Sequence, residues 1–96
     1  MKSAYDCLMR VDISKFGNSL LSRPAGREAV LALEANVLRE LKTDENIELD
    51  FHGVLVLTPS WTDEFVRLLK ERYGNRVKIL PGGNASVQLT LKTIGE

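Results

Sequence analysis

The side chains best suited to chemistry gather around the stretch LTPSWTDEF at positions 57–65. Ser60 follows an apolar run and stands where a helix would begin, which gives it three readings. As a cap it would accept backbone N–H bonds, with Asp63 completing a capping-box-like pair. As a switch it would carry a phosphate, which the positive end of a helix tolerates and which adds about two negative charges. As a nucleophile it lacks a setting, because the chain has one histidine, His52, and no G-x-S-x-G elbow. Asp50 and Asp63 are carboxylates of the kind that acid–base catalysis pairs, yet nothing in the sequence builds a cleft around them. Asp50 alternates away from Ile47, Leu49 and Phe51, so it either meets solvent or holds a loop by accepting N–H bonds.

The other candidates are simpler. His52, one residue past a strand pattern, reads as a turn residue, and Cys7 as a small near-terminal side chain. One histidine and one distant cysteine do not make a metal site, which needs several ligands at workable spacing. PGGN at 81–84 is a glycine turn without the spacing or the lysine of a phosphate loop. Arg23 and Arg27 lie one turn apart, behind Ser22. They either pair with carboxylates across the fold or contact an anion or a partner. Trp61 reads as core; left partly exposed beside Ser60 and Thr58, it would anchor a partner protein. These residues predict no catalytic centre, no cofactor and no metal.

Size and charge narrow the class. The chain has 96 residues, which predicts a single domain over 1–96. Thirteen basic residues balance thirteen acidic ones, which argues against direct nucleic-acid binding and permits self-association, so a homo-oligomer stays open. One cysteine cannot form an internal disulfide, and 1–15 carry charges without a long apolar run. A cytoplasmic protein that does not enter the membrane is the expectation.

These side chains need elements to position them. Met9, Val11 and Ile13 alternate with polar residues as a half-buried strand does, and 16–19 read as a turn. A first helix is predicted over 22–42, capped by Ser22, with Pro24 in its first turn. Its apolar stripe is Val30, Leu33, Val37 and Leu41, widened by Leu31 and Leu38. Gly26, costly in a helix, suggests close packing against the sheet. Positions 43–46 are a polar break, and IELDF at 47–51 is a strand. After a bend at Gly53, VLVL at 54–57 reads as a central strand covered on both faces. A second helix is predicted from about Pro59 to Tyr73. Trp61, Phe65, Leu68 and Leu69 form its stripe, and Gly74 stops it. Asp63 and Glu64 are placed in its first turn, Lys70 and Arg72 in its last, and Asp63–Arg67 and Arg67–Glu71 at i, i+4 spacing. Val77 and Ile79 make a further strand. The tail, 84–95, fits a strand slightly better by local period, and a helix capped by Asn84 as well. This order predicts an α/β sandwich with a mostly parallel sheet of about four strands, covered by two to three helices.

Three segments in that order carry a resemblance: FGNSLLSR at 16–23, LDFHGV at 49–54 and PSWTDEF at 59–65. Together they resemble the STAS superfamily of sulfate-transporter and anti-sigma factor antagonist domains, and more closely its STAS-like family of unknown function. The resemblance spans roughly Val11 to Ile94. It implies a regulatory protein-interaction module with no enzymatic activity, and it favours a helix after Asn84. In the antagonist branch, a D-S-S/T-G signature follows the corresponding strand, and a kinase of the histidine-kinase-like ATPase fold phosphorylates one of its serines. Aligned on that strand, Thr58, Pro59, Ser60 and Trp61 cover the signature, and only Ser60 keeps a serine. The resemblance therefore implies a partner-binding surface of Ser60, Thr58, Trp61 and Asp63, with Ser22, Arg23, Arg27 and Asp50 as secondary contacts. It also implies a histidine-kinase-like ATPase as partner. The alternatives are a domain that binds a nucleotide or a lipid, and a structural oligomerisation unit.

Overall fold

In a computed structural model, residues 8–41, 45–80 and 82–95 are described. Cys7 lies outside them, as do Thr43 and Asp44 of the polar break at 43–46. The elements are β1 (Leu8–Asp12), β2 (Ser19–Leu20), α1 (Arg23–Asn36), β3 (Asn46–Asp50), β4 (Val56–Leu57), α2 (Pro59–Tyr73), β5 (Val77–Ile79) and α3 (Ala85–Thr93). β1, β3 and β5 form one sheet in that order, and β2 with β4 forms a second; every pairing is parallel. The strand–helix alternation thus yields an α/β fold with two parallel sheets and three helices.

Strand order in the larger sheet advances one way, so right-handed crossovers put α1 and α2 on the same face. The period of two then sorts the side chains. Val11, Ile47, Leu49 and Val77 point into the core, while Arg10, Glu48 and Lys78 line up in register across the other face. Trp61, Phe65 and Leu69 of α2 meet Val30 and Leu33 of α1 in that core. Trp61 stacks on Phe65 at 4.7 Å between ring centroids, and Phe16 sets its edge against Phe65 at 5.8 Å.

Several expectations are corrected here. α1 ends at Asn36 rather than near 42, and a short 3₁₀ turn follows at Leu38–Glu40. Asn36 Nδ2 donates to the Ala32 carbonyl at 2.8 Å, a local bond of the kind that competes with helix propagation. The stripe breaks with the helix, so Leu38 is buried while Val37 is exposed. Leu31 is exposed as well, and so does not widen the stripe. Gly26 packs against α2 and not against the sheet: a Cβ there would lie 2.5 Å from the Trp61 carbonyl oxygen.

The VLVL run is not a central strand. Only Val56–Leu57 is strand, and Leu55 and Val56 face outward. What protects this short edge is α3. Asn84 Nδ2 donates to the Val54 and Leu55 carbonyls, Ser86 Oγ accepts from the Leu57 N–H, and Thr90 Oγ1 donates to the Leu57 carbonyl at 2.6 Å. Asn84 also caps α3, its Oδ1 accepting from the Val87 N–H, so the tail is a helix. Gly53 lies in a turn that presses on a 3₁₀ turn at Ile13–Phe16, where a Cβ on Gly53 would come within 2.6 Å of Ser14 Cβ. Among the described residues no helix is long and apolar enough to cross a membrane.

Gly26→Ala tests the helix contact. Alanine gains up to about 1 kcal/mol of helix propensity. A methyl group driven into a backbone carbonyl should outweigh that, for a net loss of about 2 kcal/mol in urea unfolding. A stabilised variant would show that α1 and α2 are not in contact at this point.

Candidate functional site

The site is built where α1 and α2 begin. The two helices run parallel: Arg23 faces Asp63 and Glu64 at their starts, while Glu34 meets Arg72 and Tyr73 near their ends. Parallel helices bring two positive dipole ends side by side. Thr58 fixes this arrangement. Its N–H donates to the Leu20 carbonyl at 3.1 Å, and its Oγ1 is within reach of the Leu20 and Leu21 carbonyls at 3.0 and 2.9 Å. Thr58 is the N-cap residue of α2, yet its side chain makes no cap bond; the hydroxyl is spent on joining α2 to the end of β2. One residue beyond Leu21, Ser22 caps α1 as expected, Oγ accepting from the Ala25 N–H at 3.2 Å.

Between the helices lies Glu64, 1 % exposed. Three arginines bind its carboxylate: Arg67 at 2.7 Å, Arg27 at 2.8 Å and Arg23 at 3.3 Å. Bonds from Arg67 and then Arg27, with a smaller one from Arg23, overcome the desolvation that would raise its pKa and pull it down to about 2. Asp63 and Glu64 sit past the first turn, so neither serves as a dipole-compensating residue there. The expected Asp63–Arg67 pair is replaced by Arg23–Asp63 at 2.9 Å, while Arg67–Glu71 forms as expected at 2.8 Å. Arg23 and Arg27 therefore belong to a charge-compensated network, and their bonds to these carboxylates weigh against a free anion site.

Ser60 is exposed on the first turn of α2, and its hydroxyl has no hydrogen-bond partner among the described residues. The expected cap with Asp63 does not form, because the helix already begins at Pro59 with Thr58 at its N-cap, and the Asp63 carboxylate accepts from Arg23 instead. Trp61 is 1 % exposed and wholly part of the core, so it is unavailable to a partner. Asp50 stands apart from this group. Its Oδ1 accepts from the His52 N–H at 3.0 Å and lies 2.8 Å from His52 Nδ1, which lowers its pKa and makes it a loop holder. Asp50 and Asp63 thus have separate partners and do not act as an acid pair. Among the described residues no group of three or more His, Cys, Asp or Glu side chains could hold a metal ion.

With Trp61 buried, the exposed apolar residues on the segments that lead into α1 and α2 are Leu21, Leu55 and Val56, at 56, 60 and 43 % exposure. Val56 sits beside Ser19 in register, on the outward face of the β2–β4 pair, and alternation carries that face on to Leu21. The sequence signal for Leu55 and Val56 is the VLVL run itself, whose unbroken apolar pattern also fits a doubly covered strand. A shallow groove of about 450 Å³ adjoins Leu21 and Ser22 and is bounded by Phe16 and Ala25.

The family model described as a STAS-like domain of unknown function matches residues 33–85. The chain belongs to that family. The match takes in LDFHGV and PSWTDEF, hence β3, β4, α2 and β5, and leaves FGNSLLSR outside it. The start of α2 thus lies within the matched part of this STAS-like domain, and the Leu21–Arg23 side of the surface does not. No curated protein and no solved structure matches the chain.

Glu64 sets an acid response. Its folded-state pKa of about 2 lies below its ordinary 4.5. It therefore adds stability that is complete above about pH 4.5 and is lost as pH falls towards 2. Glu64→Gln should lower stability at neutral pH and flatten this part of the unfolding profile. An unchanged acid branch would remove Glu64 from its cause.

Proposed function

We propose that this STAS-like domain is a non-enzymatic regulatory module, docking a partner protein on the surface at the start of α2. The observation that carries the reading is the exposure of Leu21, Leu55 and Val56, on the segments that lead into α1 and α2, together with that of Ser60, whose hydroxyl has no partner among the described residues. Exposed apolar side chains next to a modifiable polar group give a partner both buried area and a charge to read. Membership in a STAS-like family supports a binding role of this kind. A phosphate on Ser60 would meet the N-terminal amides of α2 and stand one helical turn from Asp63 and its Arg23 partner. The partner proposed is an ATPase of the histidine-kinase-like fold acting as the kinase of Ser60, with Thr58 as the residue that holds the surface in place.

Binding of such an ATPase to the purified domain tests this. Val56→Asp should weaken it about tenfold or more, as burying a carboxylate in an apolar contact does. Ser60→Glu should weaken it too, while Asp50→Asn, away from the surface, should leave it unchanged. Equal binding by wild type, Val56→Asp and Ser60→Glu would place the partner contact elsewhere. A destabilised Thr58→Val, expected to lose about 1 kcal/mol with its hydroxyl, would check the anchoring role separately.

A further inference from the structure

β1 is an edge of the three-stranded sheet, paired only with β3 among the described residues. Beside it runs an open groove of about 370 Å³. Arg10, Val11 and Asp12 all line it, and three consecutive residues of a strand share a groove only along the strand's edge. Phe16, Leu33 and Val37 supply its apolar wall. An exposed edge with apolar flanks invites another strand, and proteins usually block such edges with charge.

The charges on β1 do not block a second copy of the same strand; they select a register for it. In an antiparallel pair, side chains directly opposite share a face, so the two position numbers must sum to an even value. Centred on Arg10, the pairing sets arginine against arginine. Centred on Asp12, it sets aspartate against aspartate. Centred on Val11, it sets Arg10 of each copy opposite Asp12 of the other, twice, on the open polar face. Arg10 is 61 % exposed and so can reach across the two-fold axis while keeping Glu48 at 3.3 Å. Asp12 uses one oxygen, Oδ1, for Ser14, which leaves the other for a partner. The opposite edge behaves differently. β5 has exposed Lys78 at its centre, and self-pairing there opposes Lys78 to Arg76, to itself or to Leu80, so no register gives it an opposite charge.

We infer that two copies of this chain pair antiparallel along β1, centred on Val11, into one six-stranded sheet held by reciprocal Arg10–Asp12 contacts. Such a two-fold contact is isologous, the commonest arrangement of soluble dimers. It covers the Phe16–Leu33–Val37 groove and leaves the surface at the start of α2 free, so it is independent of the partner reading.

Sedimentation velocity of the full chain over a concentration series tests it. The wild type should associate to a dimer. Arg10→Asp, which sets carboxylates opposite each other, should weaken association about tenfold or more. Arg10→Asp combined with Asp12→Arg should restore it, since the register pairs these positions reciprocally. Val11→Cys in a Cys7→Ser background should cross-link two copies under mild oxidation, because position 11 faces itself on the axis. This cross-link reports on the register even if the charge variants fail to fold, as circular dichroism would reveal. A wild type that stays monomeric throughout overturns the inference. So does a dimer that withstands Arg10→Asp and gives no cross-link, or one not restored in a folded double variant.

Discussion

The contact between α1 and α2 governs the rest of the molecule, and a buried carboxylate governs that contact. Removing an ion from water is costly unless its oxygens are fully engaged. Glu64 meets that condition through Arg23 and Arg27 of one helix and Arg67 of its own. The arginines remain 44 to 63 % exposed, so they approach the carboxylate from the rim and keep part of their own hydration. Gly26 supplies the steric half of the same constraint, with no room for a Cβ against the Trp61 carbonyl. Together these features fix how close the helices come and which residues lie opposite. The Trp61–Phe65 stack and the register of Glu34 with Arg72 and Tyr73 follow from that placement.

Much of this was legible where one local rule acted alone. Ser22 and Asn84 cap their helices, Gly74 stops α2, and IELDF buries its alternate residues, as the pattern of each requires. Reading failed where a distant partner decided. Nothing near VLVL announces that side chains some thirty residues later would satisfy its outer edge and leave Leu55 and Val56 in solvent. The α1 boundary failed differently. The stripe through Val37 and Leu41 is sound as periodicity, but the Asn36 side chain takes up a backbone carbonyl at that point. β2, only two residues long, offered no period to detect.

The site followed the same division. Ser60 stands out by its position in the sequence, and the structure exposes it without the cap expected of it. Trp61 lies in the core as its place in the stripe requires, and only its place in the implied partner surface fails, because one residue along a helix turns the direction by about 100°. Arg23 and Arg27 were recognised as unusual, but their purpose depended on Glu64, which had been assigned to dipole compensation in the first turn. A glutamate on the apolar side of an amphipathic helix is a signal in itself: it needs counter-charges, and arginines are the residues able to provide them from a rim.

Thr58 joins the core to the surface. A conventional cap would spend its hydroxyl on α2's own amides and leave the helix start tied only to itself. Here the hydroxyl bonds to carbonyls at the end of β2, and the Thr58 N–H reinforces the same joint. The start of α2, the end of β2 and the cap of α1 are therefore joined through these bonds, with Ser60 on the first turn beyond them. A charge added at Ser60 has little backbone freedom to exploit in that setting. Its effect would fall on the electrostatic surface beside Leu21 and Val56, rather than on the shape of the fold.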